Sequence, residues 1–301
     1  METDRAGDEG SPLSFTLSVL DIPGATVETF HPKAVHLYGN TLYVANDAPG
    51  HYSLEVFDVS SGNVRHVKSM VEWMNGDKKE TFAGEPNGVT RSYGKIYVTN
   101  TGSRTDVFDA ETYEFITCIG TGTWGEGGYQ TVHAFDVTAS QGAVFIRDKR
   151  KLVVVLEQDV QPGSAARVPI YSRSVNLQEA MGTYAVAARN DGFLYVTAQN
   201  KNMIYLFDPA DIRAGDTGFA PYLVALGFEK SPQSIAFVGD RLFVTLRVDD
   251  KRSELWEISP KNGKLLQDFT DSMVYPEKIA GARHTLLVVD RATQTVKAIG
   301  L

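Results

Sequence analysis

An all-β ring of six four-stranded antiparallel blades, a six-bladed β-propeller, is the fold this sequence predicts. Three observations lead to it. First, one phrase returns six times: GNTLYVAN, GKIYVTN, GAVFIRD, DGFLYVTAQ, GDRLFVTLR and RHTLLVVD. Its anchors Tyr43, Tyr97, Phe145, Tyr195, Phe243 and Leu287 lie 54, 48, 50, 48 and 44 residues apart. A period of that length signals stacked copies of one supersecondary unit. Second, each copy carries strand-like runs rich in Val, Ile, Tyr, Phe and Thr, broken by Gly, Asn and Asp as tight turns require. Third, convincing helical patterns are absent; NLQEAM (176–181) amounts to a turn or two. Four short strands per unit at this period predict a propeller blade.

The second copy shows the unit best. GVTRSY (88–93) is strand A, KIYVTN (95–100) is B, DVFDA (106–110) is C and YEFITCIG (113–120) is D. The C–turn–D runs of other copies are LEVFDVSSGNVRHV (54–67), MIYLFDPADI (203–212) and LWEISPKNGKLLQDF (255–269). The last copy has A (EKIAGA, 277–282), B (HTLLVVD, 284–290) and C (TVKAIGL, 295–301), and then the sequence ends. An unmatched strand, SFTLSVLDI (14–22), precedes the first copy. Pairing it as the outer strand of blade six closes the ring and removes an exposed edge. The expected organisation is a flexible acidic tail over 1–12 and one propeller domain over 13–301.

Composition narrows the function classes. The net charge of −8 argues against a nucleic-acid partner. No run approaches the roughly 18 apolar residues of a membrane span, and a monomer is expected. The polar opening METDRAGDEGSP is no secretory leader. A tail of this kind favours an exported protein, periplasmic or extracellular, over a cytoplasmic one. Cys118 is the single cysteine; flanked by strand residues, it reads as a buried, inert thiol.

At this point the chain resembles known repeats. IYVTNTGSRTDVFDAETYEFITCIGTGTWGEGG (96–128) is similar to an NHL-type propeller repeat, and LYVAN, IYVTN and LYVTAQN resemble YVTN-type repeats. TGSRT and QNKNM stand where NHL repeats carry an Asn-His-Arg turn. EPNGV (85–89) resembles the Pro-Asn-Gly segment of the SMP-30/gluconolactonase group of six-bladed propellers. These likenesses imply the fold and say little of function, because propellers host many unrelated activities.

Aligning the copies on their B strands selects one residue per blade at the start of the inner strand. They are Lys33, Asn87, His133, Tyr184, Gln233 and Glu277. The spacing from this residue to the anchor is 10 in four blades, 11 in blade four and 12 in blade three. Converging polar groups in a concavity are a ligand-site candidate. In an enzyme, His133 and Tyr184 would serve as base and acid and Lys33 would neutralise a carboxylate. Glu277 beside Lys33 reads equally as a plain ion pair. The gluconolactonase resemblance implies a divalent cation, Ca or Zn, with Asn87 as ligand. Glu277 could join it, but a lysine in the ring repels a cation that wants several oxygen ligands. No other cofactor is expected. GTGTWG (120–125) fits G-x-G-x-x-G, but a strand rather than a helix follows, so an inter-blade loop is the reading.

A charge pattern marks one face. The D-to-A and B–C loops share it, at the expected mouth of the channel. Its turns carry Arg104, Arg147, Lys149, Arg150, Lys151, Lys201, Arg247, Lys251, Arg252 and Arg291 against Asp47, Asp148, Asp249, Asp250 and Asp290. The same face receives loops with Trp73, Trp124 and Tyr129. Aromatics beside cations stack on sugars or peptides and fix anionic groups. The leading expectation is therefore a non-catalytic propeller that binds an acidic glycan or peptide, or another small molecule, at the channel mouth, through Trp73, Arg104, Trp124, Tyr129, Arg150 and Arg247 with the channel ring. Two alternatives stand beside it. One is an enzyme using the ring, either a metal-dependent lactonase or hydrolase or a lyase on uronate-containing sugars. The other is a scaffold for a protein partner.

Overall fold

The structure is a computed structural model. It describes residues 11–60, 63–121, 131, 133–149, 152–162, 185–208, 226–282 and 284–301. Blade one consists of β2 (Pro32–Tyr38), β3 (Thr41–Asn46), β4 (Ser53–Asp58) and β5 (Arg65–Met70). A separate hairpin follows, β6 (Glu72–Asn75) with β7 (Lys78–Thr81). Blade two is β8 (Pro86–Ser92), β9 (Lys95–Asn100), β10 (Arg104–Asp109) and β11 (Phe115–Ile119). Blade three has three described strands, β12 (Ala134–Ser140), β13 (Ala143–Asp148) and β14 (Leu152–Leu156). Blade four is β15 (Val186–Ala188), β16 (Leu194–Ala198), β17 (Met203–Phe207) and β18 (Leu226–Gly227). Blade five is β19 (Ser231–Val238), β20 (Arg241–Arg247), β21 (Ser253–Ile258) and β22 (Leu265–Asp268).

Blade six closes the ring. Its inner three strands are β23 (Pro276–Ala282), β24 (Thr285–Asp290) and β25 (Thr295–Gly300), and its outer strand is β1 (Phe15–Leu17) from the other end of the chain. Phe15 pairs with Ala298 and Leu17 with Val296. The anticipated segment 14–22 is thus a strand only at its start. Ser18 then caps a short 3-10 turn over Val19–Asp21, and the Asp21 carboxylate accepts the Ser18 amide. Leu17 is fully buried.

The recurring phrase makes sense in packing terms. The six anchors Tyr43, Tyr97, Phe145, Tyr195, Phe243 and Leu287 are all buried. Each belongs to a different apolar cluster, and each cluster fills the interface between its own blade and the next. One large side chain per repeat therefore wedges each pair of twisted sheets together.

The polar letters of the phrase serve the backbone. Every described inner strand of full length bulges near its start, at Lys33, Asn87, Phe135, Gln233 and Glu277. A bulge breaks the hydrogen-bond ladder. In blade five the Thr245 hydroxyl accepts the Ser234 amide, and in blade four Thr197 accepts the Ala185 amide. The residue ending the B strand ties down neighbouring loops. Asn46 accepts the His31 amide, and Asp290 accepts the amides of Val274 and Tyr275.

Candidate functional site

The inner strands β2, β8, β12, β15, β19 and β23 surround the central channel. The end where B–C turns and D-to-A connections meet is the upper face here, and the end with the A–B turns is the lower face. At the upper end Lys33 donates to Glu277 Oε1 at 2.9 Å, with Asp47 3.9 Å from Lys33 and Arg291 3.2 Å from Glu277. Burial pushes the Glu277 carboxyl up, but the Lys33 charge and hydrogen bond and Arg291 outweigh it and hold it below its ordinary value. Burial dominates at Asp47 and raises its pKa. Asn87 is buried and donates to the Glu85 carbonyl. Gln233 is buried and donates weakly to the Tyr275 hydroxyl at 3.4 Å. Lys33 and Glu277 are thus brought together as an ion pair, while Asn87 and Gln233 are each held by their own blade or the next.

One sequence expectation needs correction in this ring. In blade three the bulge falls on Phe135, so Phe135 takes the position assigned to His133. The spacing of 12 counted from His133 becomes 10 from Phe135, matching four other blades. His133 precedes β12, and its ring lies near-parallel to that of Phe135 at 6.0 Å. Tyr184 lies outside the described residues. A cation at this level would depend on Asn87 and Glu277, and Glu277 is already bracketed by Lys33 and Arg291. Among the described residues no group of three or more His, Cys, Asp or Glu is arranged to hold a metal.

One residue further along each inner strand lies a feature the alignment missed. The residues there are Ala34, Gly88, Asp136, Ala185, Ser234 and Lys278. Four are short. The other two stand on blades three and six, opposite each other in a six-membered ring, and they meet: Lys278 Nζ lies 3.2 Å from Asp136 Oδ1, with side chains 9% and 16% exposed. Lys278 also approaches the Phe135 carbonyl at 3.5 Å, and Asp136 Oδ2 accepts the Val186 amide at 3.0 Å. Burial raises the Asp136 pKa against the pull of Lys278, and burial lowers that of Lys278 against Asp136. Gly88 makes room for the strap, since a Cβ there would come within 2.8 Å of the Asp136 Cα. The signal was present in the sequence as two charges at a position otherwise small.

Below this strap the channel widens into a cavity of about 1050 Å³. Its upper wall is a ring of β-branched residues, one per blade: Val35, Val89, Val137, Val186, Ile235 and Ile279. Short side chains at Ala187, Ala236, Ala280 and Gly281 leave the space open. The lower rim is polar and aromatic, with Tyr38, Arg91, Tyr93, Gln141 and Arg189. Arg189 is clamped by both carboxylate oxygens of Asp191. Arg91 instead stacks on the Tyr38 ring, its guanidinium carbon 3.6 Å from the centroid, and forms no ion pair among the described residues.

At the upper loops Lys149, Lys201, Lys251 and Arg252 are exposed, while three residues of the expected mouth, Trp73, Arg104 and Arg247, are already engaged. Trp73 is buried, packed against Phe82, Phe108 and Phe115. It points inward because its loop folds into the β6–β7 hairpin, where strand alternation buries Trp73 and exposes Met74. Arg104 is spent on Glu80 at 3.0 Å and Asp106 at 2.7 Å. Arg247 pairs with Asp250. Arg147 is fully buried, and burial lowers its pKa to about 9 against the pull of Asp148. Cys118 is buried, its thiol pushed up to about 11 chiefly by burial. Trp124, Tyr129, Arg150 and Lys151 lie outside the described residues, as does most of GTGTWG.

Asp106 carries a testable consequence. It is fully buried, and burial raises its pKa to about 7 despite Arg104 and Asn100. A folded-state pKa above the unfolded value of about 3.9 means the native state retains a proton that the unfolded chain loses. This contribution to stability is present in full below about pH 4 and is lost as pH rises to about 7. Asp106→Asn is expected to flatten that part of the melting temperature–pH profile, read by calorimetry from pH 4 to 8. An unchanged slope would contradict the assignment.

No protein-family model matches the chain, and no curated protein matches it in sequence. Solved structures share its fold. Virginiamycin B lyase from Staphylococcus aureus, in a catalytically inactive form with quinupristin, matches at a TM-score of 0.58 and 11% identity, covering 96% of this chain and 99% of that one. A selenomethionine-substituted structure of the same lyase gives 0.59 at 11% identity, with the same coverage. The β-propeller domain of Cps50 (Swd1) from Myceliophteria thermophila gives 0.55 at 12% identity over 92% of this chain and 99% of that one. These similarities establish the propeller fold. One neighbour is a lyase and another a propeller domain, so the shared fold does not select an activity. No helix among the described residues is long and apolar enough to cross a membrane.

Proposed function

We propose that this propeller is a non-catalytic binding module whose ligand, an acidic glycan, occupies the channel cavity beneath the Lys278–Asp136 strap and enters from the lower face. The observation that carries this is the charge balance of the cavity wall. Its lining cations are Arg91, clear of any described carboxylate, and Arg189, neutralised by Asp191; its lining acid, Asp136, is matched by Lys278. A negative group is therefore favoured there. The volume is ample for a short oligosaccharide. Tyr38 and Tyr93 offer ring faces, and Thr138, Ser92, Ser140 and Asn190 offer hydroxyl and amide partners. A binding role fits better than the enzyme readings because the Lys33–Glu277 pair occupies both groups that a uronate lyase or a metal hydrolase would need free.

Thermal-shift and calorimetric titration with trigalacturonate, a neutral cello-oligosaccharide and a hexaglutamate peptide test this reading. Trigalacturonate is expected to stabilise the fold. Thr138→Trp, which fills the cavity, should abolish the shift, and Arg247→Ala at the upper mouth should leave it. Loss in Arg247→Ala with retention in Thr138→Trp would move the site back to the upper face. Stabilisation by the peptide alone would replace the glycan by an acidic protein segment.

A further inference from the structure

The anchor tyrosines point to a more specific site at the cavity rim. Three of the six anchors carry a hydroxyl, and two of these are satisfied. Tyr97 donates to Glu157 Oε1 at 3.0 Å, where Lys95 supplies the balancing charge at 2.5 Å. Tyr195 accepts from Arg189 at 3.2 Å, and Asp191 balances that arginine. Each of these two crevices therefore holds a phenol and a matched pair of charges.

The crevice between blades one and two is built differently. The Tyr43 hydroxyl forms no hydrogen bond among the described residues. Arg91 stands over Tyr38, and Lys68 stands over Tyr113 at 5.2 Å from the ring centroid. Neither cation meets a carboxylate among the described residues. The Arg91 Nε is buried without a hydrogen-bond partner. Tyr38, Tyr43 and Tyr113 all belong to the apolar cluster that joins the two blades. The Tyr113 hydroxyl likewise forms no hydrogen bond among the described residues. Burial raises the Tyr43 hydroxyl to about 12, with Arg91 pulling the other way, so it remains a donor at neutral pH.

Two cations without a carboxylate partner among the described residues, together with two phenolic donors, suit a doubly charged anion better than a singly charged carboxylate. A guanidinium and an ammonium supply the charge, and a phosphoryl group offers three acceptor oxygens to meet four donors. The stacking of Arg91 on Tyr38 fixes its plane before any ligand arrives, which lowers the ordering cost of binding.

We infer that the crevice formed by Lys68, Arg91, Tyr43 and Tyr113 is a subsite for the phosphate monoester of a phosphorylated sugar. The inference rests on the reading that the channel cavity holds a glycan, and it names the acidic group and its partners. Because Arg91 belongs both to the crevice and to the cavity lining, the sugar ring extends from the subsite into the cavity.

Isothermal titration with glucose 6-phosphate, glucuronate and inorganic phosphate tests it, since the first two differ chiefly in the acidic group at C6. The protein is expected to bind glucose 6-phosphate at least about tenfold more tightly than glucuronate. It should also bind it more tightly than inorganic phosphate. Arg91→Gln should weaken glucose 6-phosphate about 10- to 100-fold, the range expected for charge-assisted hydrogen bonds. The exposed Lys68→Gln and Tyr113→Phe should each weaken it about 3- to 10-fold, and they keep the test open if Arg91→Gln fails to fold.

Equal affinity for glucuronate, unchanged affinity in Lys68→Gln and Arg91→Gln, or no binding at all would overturn the subsite. Inorganic phosphate binding as tightly as the ester would overturn the sugar component. The two levels separate cleanly. If Thr138→Trp abolishes binding but Arg91→Gln does not, the cavity reading stands and the subsite falls. If Arg91→Gln abolishes binding and Thr138→Trp does not, the phosphate contact stands and the cavity reading falls.

Discussion

Lys278→Met should destabilise the protein by about 3–5 kcal/mol, as expected when one partner of a buried ion pair is removed and the other charge stays behind. Asp136 would keep the Val186 amide but lose the cation 3.2 Å away. Adding Asp136→Asn should recover most of the loss. The amide oxygen still accepts from Val186, and no charge remains uncompensated. The double variant should lie within about 1–2 kcal/mol of wild type, because a buried pair replaced as a unit is often nearly neutral. Urea denaturation of the three proteins measures this directly.

The single variant should also respond to pH. With Lys278 gone, burial outweighs the remaining hydrogen bonds from the Val186 and Val137 amides, and the folded-state pKa of Asp136 lies above the unfolded value of about 3.9. Protonation then stabilises the native state, so the deficit should shrink as pH falls toward 4. It should grow as pH rises through the folded-state pKa. A deficit independent of pH, or a double variant as unstable as the single one, would argue against the strap.

Removing residues 1–18 should have the second large effect. It strips β1 from blade six and empties the fully buried position of Leu17. Loss of a buried leucine alone costs about 2–5 kcal/mol. The deletion also frees the outer edge of β25, with Val296 and Ala298, for pairing with another chain. The expected outcome is a lower melting temperature together with concentration-dependent association in sedimentation experiments. A peptide spanning residues 12–20 should reverse both by strand addition. A shortened chain as stable and monodisperse as the full one would show that the closure is dispensable.

The fold was legible because one requirement repeats six times. Every blade needs a large wedge at its outgoing interface, and Tyr43 to Leu287 record that need once every 44 to 54 residues. The Thr and Asn of YVTN were visible too, though their work on bulge and loop amides emerges only from the register. The candidate site was legible in part. Counting back from the anchors found the bulge residues Lys33, Asn87, Gln233 and Glu277, and it placed Lys33 beside Glu277. It missed in blade three because His133 lies two positions before the bulge, which Phe135 fills instead.

Other features depended on contacts between distant segments. Arg104 is neutralised by Glu80 from the preceding hairpin, and Trp73 is buried by Phe108 and Phe115 of blade two. Neither partner can be read from the loop that carries the residue. The side on which the channel opens followed from side-chain length one step beyond the aligned position. There a single lysine crosses to a single aspartate, and the small residues below leave a well.

A crystal structure of the protein soaked with glucose 6-phosphate is the most direct test of that arrangement. The expected result is difference density below an intact Lys278–Asp136 contact, with the phosphate against Arg91 and the sugar in the lower cavity. Density seated instead among Lys33, Asn87 and Glu277 at the upper ring, with Lys278 and Asp136 drawn apart, would contradict it.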